Sequence, residues 1–169
     1  MKQIIIIIFA LVSLSILYSF LPKKESVPKN ITLIKVYKKK RIMEVYNKAT
    51  LIKTYQISLG QEPVGRKQFE GDNKTPEGTY FIDGKNPYSS YHKNLGISYP
   101  NKKDKAFAKK KGKRAGSLIK IHGLPNGKGK IGKLHLANDW TAGCIAVTDQ
   151  EIDEIYAATK IGAKIILYK

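Results

Sequence analysis

The chain contains a single cysteine, Cys144, within the run Thr-Ala-Gly-Cys-Ile-Ala-Val. A thiol attacks a carbonyl carbon as its thiolate, and a free cysteine with a pKa near ~8.5 must be acidified by a cation, a helix N-terminus or backbone donors. Backbone N–H groups beside Gly143 and a helix predicted a few residues later could serve. By itself, Cys144 fits an intermolecular bridge, an inert buried thiol or a working nucleophile.

Histidines that could act as a base for this thiol stand at three positions. His122 ends a predicted buried strand over residues 117–121, and His135 lies between that strand and the cysteine. His92 follows Tyr91 in a tyrosine-rich stretch, which is more typical of a surface or substrate-facing residue. A general base must lie within hydrogen-bond reach of the thiol, and both His122 and His135 are available for that role.

Two other chemistries fit the residues less well. A zinc site is conceivable on His122, His135, Asp139 and Cys144, but their spacing matches no common zinc motif. The glycine-rich stretch 123–132 has no Gly-Lys pair followed by Ser or Thr, which a phosphate-binding P-loop requires. The sequence therefore predicts neither a metal site nor a nucleotide phosphate site.

The elements that must position these residues are mainly strands. Apolar and β-branched runs predict strands over residues 31–37, 41–46, 51–58, 79–83, 95–98, 117–121 and 164–168. Residues 84–101 contain two prolines and are expected to form a long loop over a surface or groove. Residues 104–111 predict one short helix, and a capping box from Thr148 to Glu151 predicts another. We therefore expect a mainly β, sandwich-like domain with one or two short helices.

Length, composition and charge fit one folded domain. The chain has 169 residues and is 42% hydrophobic, which is enough apolar material for one core. Its net charge of +18 suits an anionic partner such as nucleic acid, anionic lipid or a polymer of the cell envelope. Most of this charge is lysine spread along the chain, whereas proteins that read bases rely on clustered arginine, so we expect no nucleic-acid partner.

The N-terminal residues indicate where the protein works. Residues 4–21 form an apolar run interrupted by serines alone, which predicts an export segment. The bulky side chains near its end do not fit a cleavage site, so an uncleaved membrane anchor is favoured over a signal peptide for residues 1–22. Residues 23–30 would be a linker and 31–169 the folded domain. This organisation predicts a membrane-tethered location in the cell envelope, on the periplasmic or extracytoplasmic face.

Two motifs resemble the L,D-transpeptidase catalytic domain family of the YkuD type. Ile121-His122-Gly123 is similar to the family's His-Gly motif, and Thr141-Ala142-Gly143-Cys144-Ile145 to its string of Ser/Thr, any residue, Gly, Cys and a hydrophobic residue. Upstream segments 75–80 and 95–100 also look like the family, so the resemblance covers nearly all of residues 31–169. It implies an L,D-transpeptidase-like β-sandwich of mixed sheets.

The resemblance implies a reaction and a role for each matching residue. Cys144 would attack the L-to-D amide of a peptidoglycan stem tetrapeptide, releasing D-alanine and forming a thioester. His122 would accept the thiol proton, and the carbonyl of Gly123 would orient its imidazole. Backbone N–H groups around Gly143 would bind the oxyanion. Contacts with substrate are expected from Thr141, Ala142, Tyr91, His92, Trp140 and His135, and no metal or organic cofactor is implied.

The acceptor is the least specified part of this expectation. An amine of a neighbouring stem would give a 3-3 cross-link, and an amine of an envelope lipoprotein would attach that protein to the wall. The sequence departs from the family pattern at Ala142, where many members have His, and at Ala146, where many have Arg or Asn. Water is therefore the alternative acceptor, which would make the protein an L,D-carboxypeptidase or amide hydrolase. A non-catalytic, basic wall-binding module is a further alternative.

Overall fold

A computed structural model describes residues 30–169 of the chain. The predicted membrane anchor or signal peptide of residues 1–22, and all but the last residue of the predicted linker, lie outside the described residues. Within residues 30–169, the helices are too short or too polar to cross a lipid bilayer.

Strands dominate the described part of the chain, which also contains two short α-helices. The strands are β1 (Ile31–Tyr37), β2 (Ile42–Asn47), β3 (Thr50–Gln56), β4 (Gly78–Ser89), β5 (His92–Ile97), β6 (Lys120–His122), β7 (Ile145–Ala146) and β8 (Thr159–Tyr168). The α-helices are α1 (Lys102–Lys110) and α2 (Asp149–Ala158), and two 3₁₀ segments span Lys38–Lys40 and Gly129–Ala137.

The strands form a curled mixed sheet in the order β3-β2-β1-β8-β4-β5-β6-β7. The pairs β1–β8 and β6–β7 are parallel and the other neighbours are antiparallel. Strand β4 joins the two halves of the sheet, because its first residues pair with β8 and its later residues pair with β5. The predicted fold, mainly β with mixed sheets and one or two short helices, is confirmed.

The core lies between the two halves of the sheet. Ile34 and Ile165 from the β1–β8 half, and Ile121 and Ile145 from the β6–β7 half, are all 0% exposed and belong to one apolar cluster. Burial of each such side chain stabilises the fold by roughly 1.5–3 kcal/mol before entropy is counted. Helix α2 adds Ile152, also 0% exposed, to the same cluster. The buried face of the two short strands β6 and β7 thus packs against this core.

The predicted loop over residues 84–101 is wrong, because most of this stretch is a β-hairpin. Strand β4 continues to Ser89 and β5 begins at His92. Pro87, which cannot donate to a strand ladder, lies where the pairing shifts register between Asn86 and Ser89. Tyr88 beside it is 92% exposed. The irregularity accommodates the proline within the strand, which is why a turn-forming composition accompanies a strand here.

The strand predicted over residues 117–121 is shorter than expected. Leu118 has φ 62 and Gly116 has φ 78, both in the left-handed region, so extended backbone begins only at Lys120. The predicted loop at 123–132 is correct in its first part, but its end enters the 3₁₀ segment Gly129–Ala137. The chain therefore bends sharply just before it reaches His122.

The predicted capping box at the start of α2 is confirmed. The Thr148 hydroxyl accepts a hydrogen bond from the backbone N–H of Glu151 at 3.3 Å, and the Glu151 carboxylate accepts one from the backbone N–H of Thr148 at 2.9 Å. These bonds satisfy two N–H groups that would otherwise have no partner at the helix end. The helix begins a few residues after Cys144, so its first turn fixes the chain that leaves β7.

We expect Thr148→Ala to lower the free energy of unfolding by about 1 kcal/mol, because it removes the side-chain cap of α2. Urea denaturation followed by circular dichroism measures this loss. Gln150→Ala, an exposed change in the first turn of the same helix, is the matched control and should change stability by less than about 0.5 kcal/mol. Equal losses in the two variants would show that the cap is energetically unimportant.

Candidate active site

The parallel pairing of β6 with β7 brings the predicted nucleophile and base together. Ile121 lies opposite Ile145, and His122 lies opposite Ala146. Extending this register backwards by one residue places Cys144 beside Lys120. Because side chains alternate along a strand, Ile121 points into the core while its two neighbours face the other side. His122 and Cys144 consequently line the same pocket.

This pocket has a volume of about 370 Å³. Its lining includes six of the residues predicted as catalytic or substrate-binding, namely Tyr91, His122, Trp140, Thr141, Ala142 and Cys144. The sequence reasoning missed four further lining residues, Gln61, Ser89, Leu118 and Lys120. A larger cavity of about 700 Å³ beside the start of α2 contains neither a cysteine nor a histidine. The chemistry of the residues therefore identifies the smaller cavity as the candidate site.

The imidazole of His122 is held in one orientation. Its Nδ1–H donates a hydrogen bond to the backbone carbonyl of Gly123 at 2.7 Å, since a carbonyl oxygen can only accept. This bond leaves Nε2 unprotonated and able to accept a proton. His122 is 4% exposed, and burial lowers its pKa to about 4, with Lys120 and His135 acting in the same direction and the bond to Gly123 opposing them. The ring is therefore a neutral base at neutral pH.

Two aromatic rings enclose His122. The ring centroid of Tyr91 lies 4.6 Å from that of His122, and the ring centroid of Trp140 lies 5.7 Å from it. Tyr91 and Trp140 are themselves stacked at 6.1 Å. The indole Nε1 of Trp140 is buried and has no hydrogen-bond partner within the described structure. These rings limit the access of water to the imidazole and account for much of its burial.

Cys144 is half-buried and its thiol donates a long hydrogen bond, 3.5 Å, to the carbonyl of Leu118. Burial raises the pKa of the thiol, while the backbone and charge of Lys120 and the charge of Lys67 act against this rise. The resting site thus pairs a neutral thiol with a neutral imidazole. Leu118 occupies the left-handed region at φ 62 and is 71% exposed, so its unusual backbone serves to direct a carbonyl at the sulfur.

Thr141 organises the turn that carries the cysteine. Its hydroxyl donates to the carbonyl of Cys144 at 2.8 Å and accepts from the backbone N–H of Gly143 at 3.1 Å. Its backbone donates to the Leu59 carbonyl at 3.1 Å and accepts from Gln61 N–H at 2.9 Å. Because the N–H of Gly143 is already bonded to Thr141, the backbone N–H groups of Ala142 and Cys144 remain as the candidates among those expected around Gly143 to bind an oxyanion.

Gly143 is required by both its backbone conformation and its surroundings. It has φ +128, which side chains of L-residues rarely adopt, and a Cβ built there would lie 2.7 Å from the carbonyl oxygen of Lys74. The turn that carries Cys144 therefore packs directly on the backbone of the loop that precedes β4. No larger residue fits this position without displacing one of the two segments.

A buried carboxylate holds that loop together. Asp72 accepts hydrogen bonds from the Lys67 ammonium at 2.7 Å and from backbone N–H groups of Gln68, Phe69 and Lys74 at 2.6, 3.2 and 3.1 Å. Burial alone would raise the pKa of Asp72, but these donors outweigh it and lower the pKa below its usual value. The side chains of Lys67 and Asp72 are 4% and 3% exposed. Residues 67–74 thus form a tied turn beneath Gly143.

Asp139, which a zinc site would have used, has a structural partner instead. Its carboxylate accepts from Arg41 Nε at 2.9 Å and Arg41 Nη2 at 2.6 Å, and from the backbone N–H of Leu59 at 2.8 Å. This fork anchors the chain immediately before Trp140. In residues 30–169, no three His, Cys, Asp or Glu side chains gather closely enough to hold a metal ion.

His92 and His135, both expected to contact substrate, do not line the pocket. His92 Nε2 lies 2.9 Å from Asp153 on helix α2. His135 Nδ1 lies 3.1 Å from the Ser58 hydroxyl, and its ring is 7% exposed, with a pKa lowered by burial. The structure thus gives both rings partners outside the pocket, His92 at a partly exposed position and His135 at a buried one, which sequence position alone could not show.

Comparison with known proteins identifies the class of the chain. The family model described as "L,D-transpeptidase catalytic domain" matches residues 31–167, and the chain therefore belongs to this family. It is similar to Escherichia coli (strain K12) YafK, which carries the name of an L,D-transpeptidase, with 31% identity over 129 residues. The match covers 73% of this chain and 45% of YafK, so the chain spans less than half the length of that relative.

Solved structures give the same fold. The helical cell shape determining protein Pgp2 (K307A mutant) from Campylobacter jejuni superposes with a TM-score of 0.63 and 25% identity, over 85% of this chain and 49% of that one. An L,D-transpeptidase from Xylanimonas cellulosilytica superposes with a TM-score of 0.53 and 13% identity, over 88% of this chain and 65% of that one. The latter likeness concerns the fold alone.

We expect the fold to lose stability as pH falls from about 6.5 to 4. The unfolded chain binds a proton at His122 near pH 6.5, whereas the folded chain binds it only near pH 4. Stability is therefore full above about pH 6.5 and declines by about 3 kcal/mol by pH 4. Urea denaturation at several pH values measures this slope. His122→Asn should reduce the slope and leave only the part that comes from other groups, such as His135, whose pKa is also lowered by burial. An unchanged slope would contradict the assignment.

We expect Gly143→Ala to lower the free energy of unfolding by roughly 1–3 kcal/mol through backbone strain and by more through the clash with Lys74. Gly127→Ala is the matched control, because Gly127 also has positive φ, +83, but has no atom within 4 Å of a built Cβ. Urea denaturation of both variants separates the two causes. If the losses are equal, the close approach of Gly143 to Lys74 has no energetic importance.

Proposed function

We propose that this chain is a cysteine-dependent L,D-transpeptidase of the cell envelope. Its donor would be a peptidoglycan stem tetrapeptide. The observation that supports this most directly is the hydrogen bond from His122 to the Gly123 carbonyl, which leaves an unprotonated Nε2 in the pocket that Cys144 lines. A base fixed in this tautomer beside the single cysteine of a family member is the arrangement that thiol acylation requires.

The first half of the reaction forms a thioester. As Cys144 Sγ attacks the amide carbonyl carbon, His122 Nε2 takes the thiol proton. The carbonyl oxygen becomes an oxyanion, which the backbone N–H groups of Cys144 and Ala142 bind. The C–N bond then breaks, and His122 returns its proton to the nitrogen of the departing D-alanine. A neutral resting pair suffices, because the proton moves only as the carbon–sulfur bond forms.

The second half resolves the thioester. We propose an amine as acceptor, from a neighbouring stem or an envelope lipoprotein. As the amine nitrogen attacks the thioester carbonyl carbon, His122 Nε2 takes a proton from it. The C–S bond then breaks, and His122 returns the proton to Cys144 Sγ. Ala142 is exposed at the rim of the pocket and leaves room for this acceptor. Ala146, in contrast, is 0% exposed and does not line the pocket.

Water is the alternative acceptor, and the open rim at Ala142 is compatible with it. In that case the enzyme trims stems rather than linking them. The likeness to Pgp2, which is named for helical cell shape, supports the further proposal that either reaction serves cell shape. We also propose that residues 1–22 hold the chain at the membrane, with the folded domain on the outer side, where peptidoglycan lies.

Intact mass spectrometry tests the proposal. The protein is incubated with a stem tetrapeptide, and we expect a mass increase equal to the acyl tripeptide, with release of D-alanine. Cys144→Ala should give no adduct. His122→Asn should slow acylation by roughly 10²–10⁴-fold, since it removes the general base. His92→Asn is the matched control, because His92 lies outside the pocket, and it should acylate at the normal rate.

The fate of the adduct separates the two acceptors. A cross-linked product that forms only when an amine is added indicates transfer, and free tripeptide formed without amine indicates hydrolysis. A folded wild-type protein that forms no adduct, and instead binds wall fragments in a salt-sensitive way, would replace the proposal with the basic wall-binding module.

A further inference from the structure

Lys120 is the immediate neighbour of the nucleophile across the β6–β7 pair. Continuing the parallel register of Ile121 with Ile145 by one residue sets Lys120 alongside Cys144. Strand alternation puts Lys120 on the same face of β6 as His122, opposite the buried Ile121. Lys120 lines the same pocket as both of them and is half-buried there. A long flexible side chain so placed can reach a group bound next to the sulfur.

The charge of Lys120 has no counter-ion in the described structure. Among the pocket-lining residues, none is acidic, and Lys120 is the one lysine or arginine. No carboxylate of residues 30–169 lies within 4 Å of its ammonium. Lys67, the other cation whose charge lowers the pKa of the Cys144 thiol, is in contrast paired with Asp72 at 2.7 Å. The pocket therefore carries one uncompensated positive charge beside the reacting atoms.

An uncompensated cation in a partly desolvated pocket favours an anionic ligand group. The rest of the lining is neutral, with aromatic rings on one side and amide or hydroxyl groups on the other. A carboxylate that enters this pocket gains a charge-assisted hydrogen bond, and Lys120 gains the partner it lacks. A neutral amide at the same place gains only an ordinary hydrogen bond.

We propose that Lys120 is a specificity-determining residue that binds a carboxylate of the donor within one residue of the attacked carbonyl. This inference rests on the proposed function. The experiment addresses the two carboxylates carried by the residues that the scissile amide joins. These are the terminal carboxylate of the departing D-alanine and, in stems whose diamino acid carries one, the side-chain carboxylate of the residue whose carbonyl is attacked. Either is close enough to the scissile bond to meet a side chain adjacent to Cys144.

A second role for Lys120 predicts a different result. Its positive charge favours the thiolate of Cys144, so its loss would weaken the nucleophile for every donor alike. Carboxylate binding instead makes the effect depend on the donor. The ratio of kcat/KM for a free carboxylate to that for its amide isolates the binding role, because any general effect on the thiol cancels in the ratio.

The experiment compares three donors with the full-length protein and its variants. The donors are a stem tetrapeptide, the same peptide with its terminal carboxylate amidated, and the same peptide with its side-chain carboxylate amidated. The variants are Lys120→Gln and Lys120→Arg. Lys160→Gln is the matched control, because Lys160 is exposed and lies away from the pocket. Release of D-alanine, or of D-alaninamide from the terminally amidated donor, gives kcat/KM for each pair.

We expect wild-type protein to prefer the free tetrapeptide over one of the two amides by roughly 10- to 100-fold. Lys120→Gln should reduce that ratio nearly to one, Lys120→Arg should retain most of it, and Lys160→Gln should match wild type. The carboxylate whose amidation lowers kcat/KM in wild-type protein, but not in Lys120→Gln, is the one that Lys120 binds.

Two outcomes would overturn the inference in distinguishable ways. If Lys120→Gln slows all three donors equally, or leaves the wild-type ratio unchanged, Lys120 does not bind a carboxylate, although the proposed function stands. If wild-type protein releases no product from any donor, the proposed function fails and this inference fails with it.

Discussion

The pairing of β6 with β7 is the interaction on which the rest of the site depends. It consists of only two residue pairs, and its stability comes from Ile121 and Ile145, which are fully buried behind it. One short segment then supplies most of the chemistry. Its groups are the carbonyl that faces the sulfur, the ammonium beside the sulfur, the imidazole and the carbonyl that orients the imidazole. They belong to Leu118, Lys120, His122 and Gly123 respectively. The hydrophobic core therefore fixes the spacing of reactive groups that never touch it.

Burial and charge act against each other at this site. A desolvated pocket keeps both Cys144 and His122 neutral, which raises the cost of forming the thiolate and imidazolium that the proposed reaction requires. The bond from His122 to Gly123 reduces the cost for the imidazolium. The charge of Lys120 reduces the cost for the thiolate but adds to the cost for the imidazolium. In the proposed reaction the charged pair forms only transiently, after a bound substrate has displaced water from the pocket.

The sequence predicts the parts of this site that depend on residues close together in the chain, and it misses the parts that depend on residues far apart in the chain. Cys144, His122 and Gly123 lie in short motifs, and the cap at Thr148 is local, so these were accessible. Lys120 was missed because its importance depends on strand register, which no local pattern specifies. Its two-residue spacing from His122 was the available signal, since alternate residues of a strand share a face.

The errors in the predicted fold have the same origin. Prolines and tyrosines over residues 84–101 gave a loop composition, yet pairing of β4 with β8 and β5 overrides it and absorbs Pro87 at an irregularity. His92 and His135 were expected near substrate from their residue type, but Asp153 and Ser58, which are distant in the chain, hold them elsewhere. Tertiary partners decided each case.

The loop before β4 has two parts that differ in how well they tolerate substitutions, namely the turn closed by Asp72 and the exposed residues before it. Residues 67–74 are closed by the Asp72 carboxylate and support Gly143, whereas residues 62–65 are mostly exposed. Three hydrogen bonds hold this exposed segment, from Glu62 N–H to Asn73 and from the ammonium groups of Lys74 and Lys38 to the carbonyls of Val64 and Gly65. Changes in an exposed segment that makes few such bonds cost less stability than changes in a buried one. The loop can therefore accept changes of composition beside Gln61, at the pocket wall, while the turn that carries Cys144 keeps its support from residues 67–74.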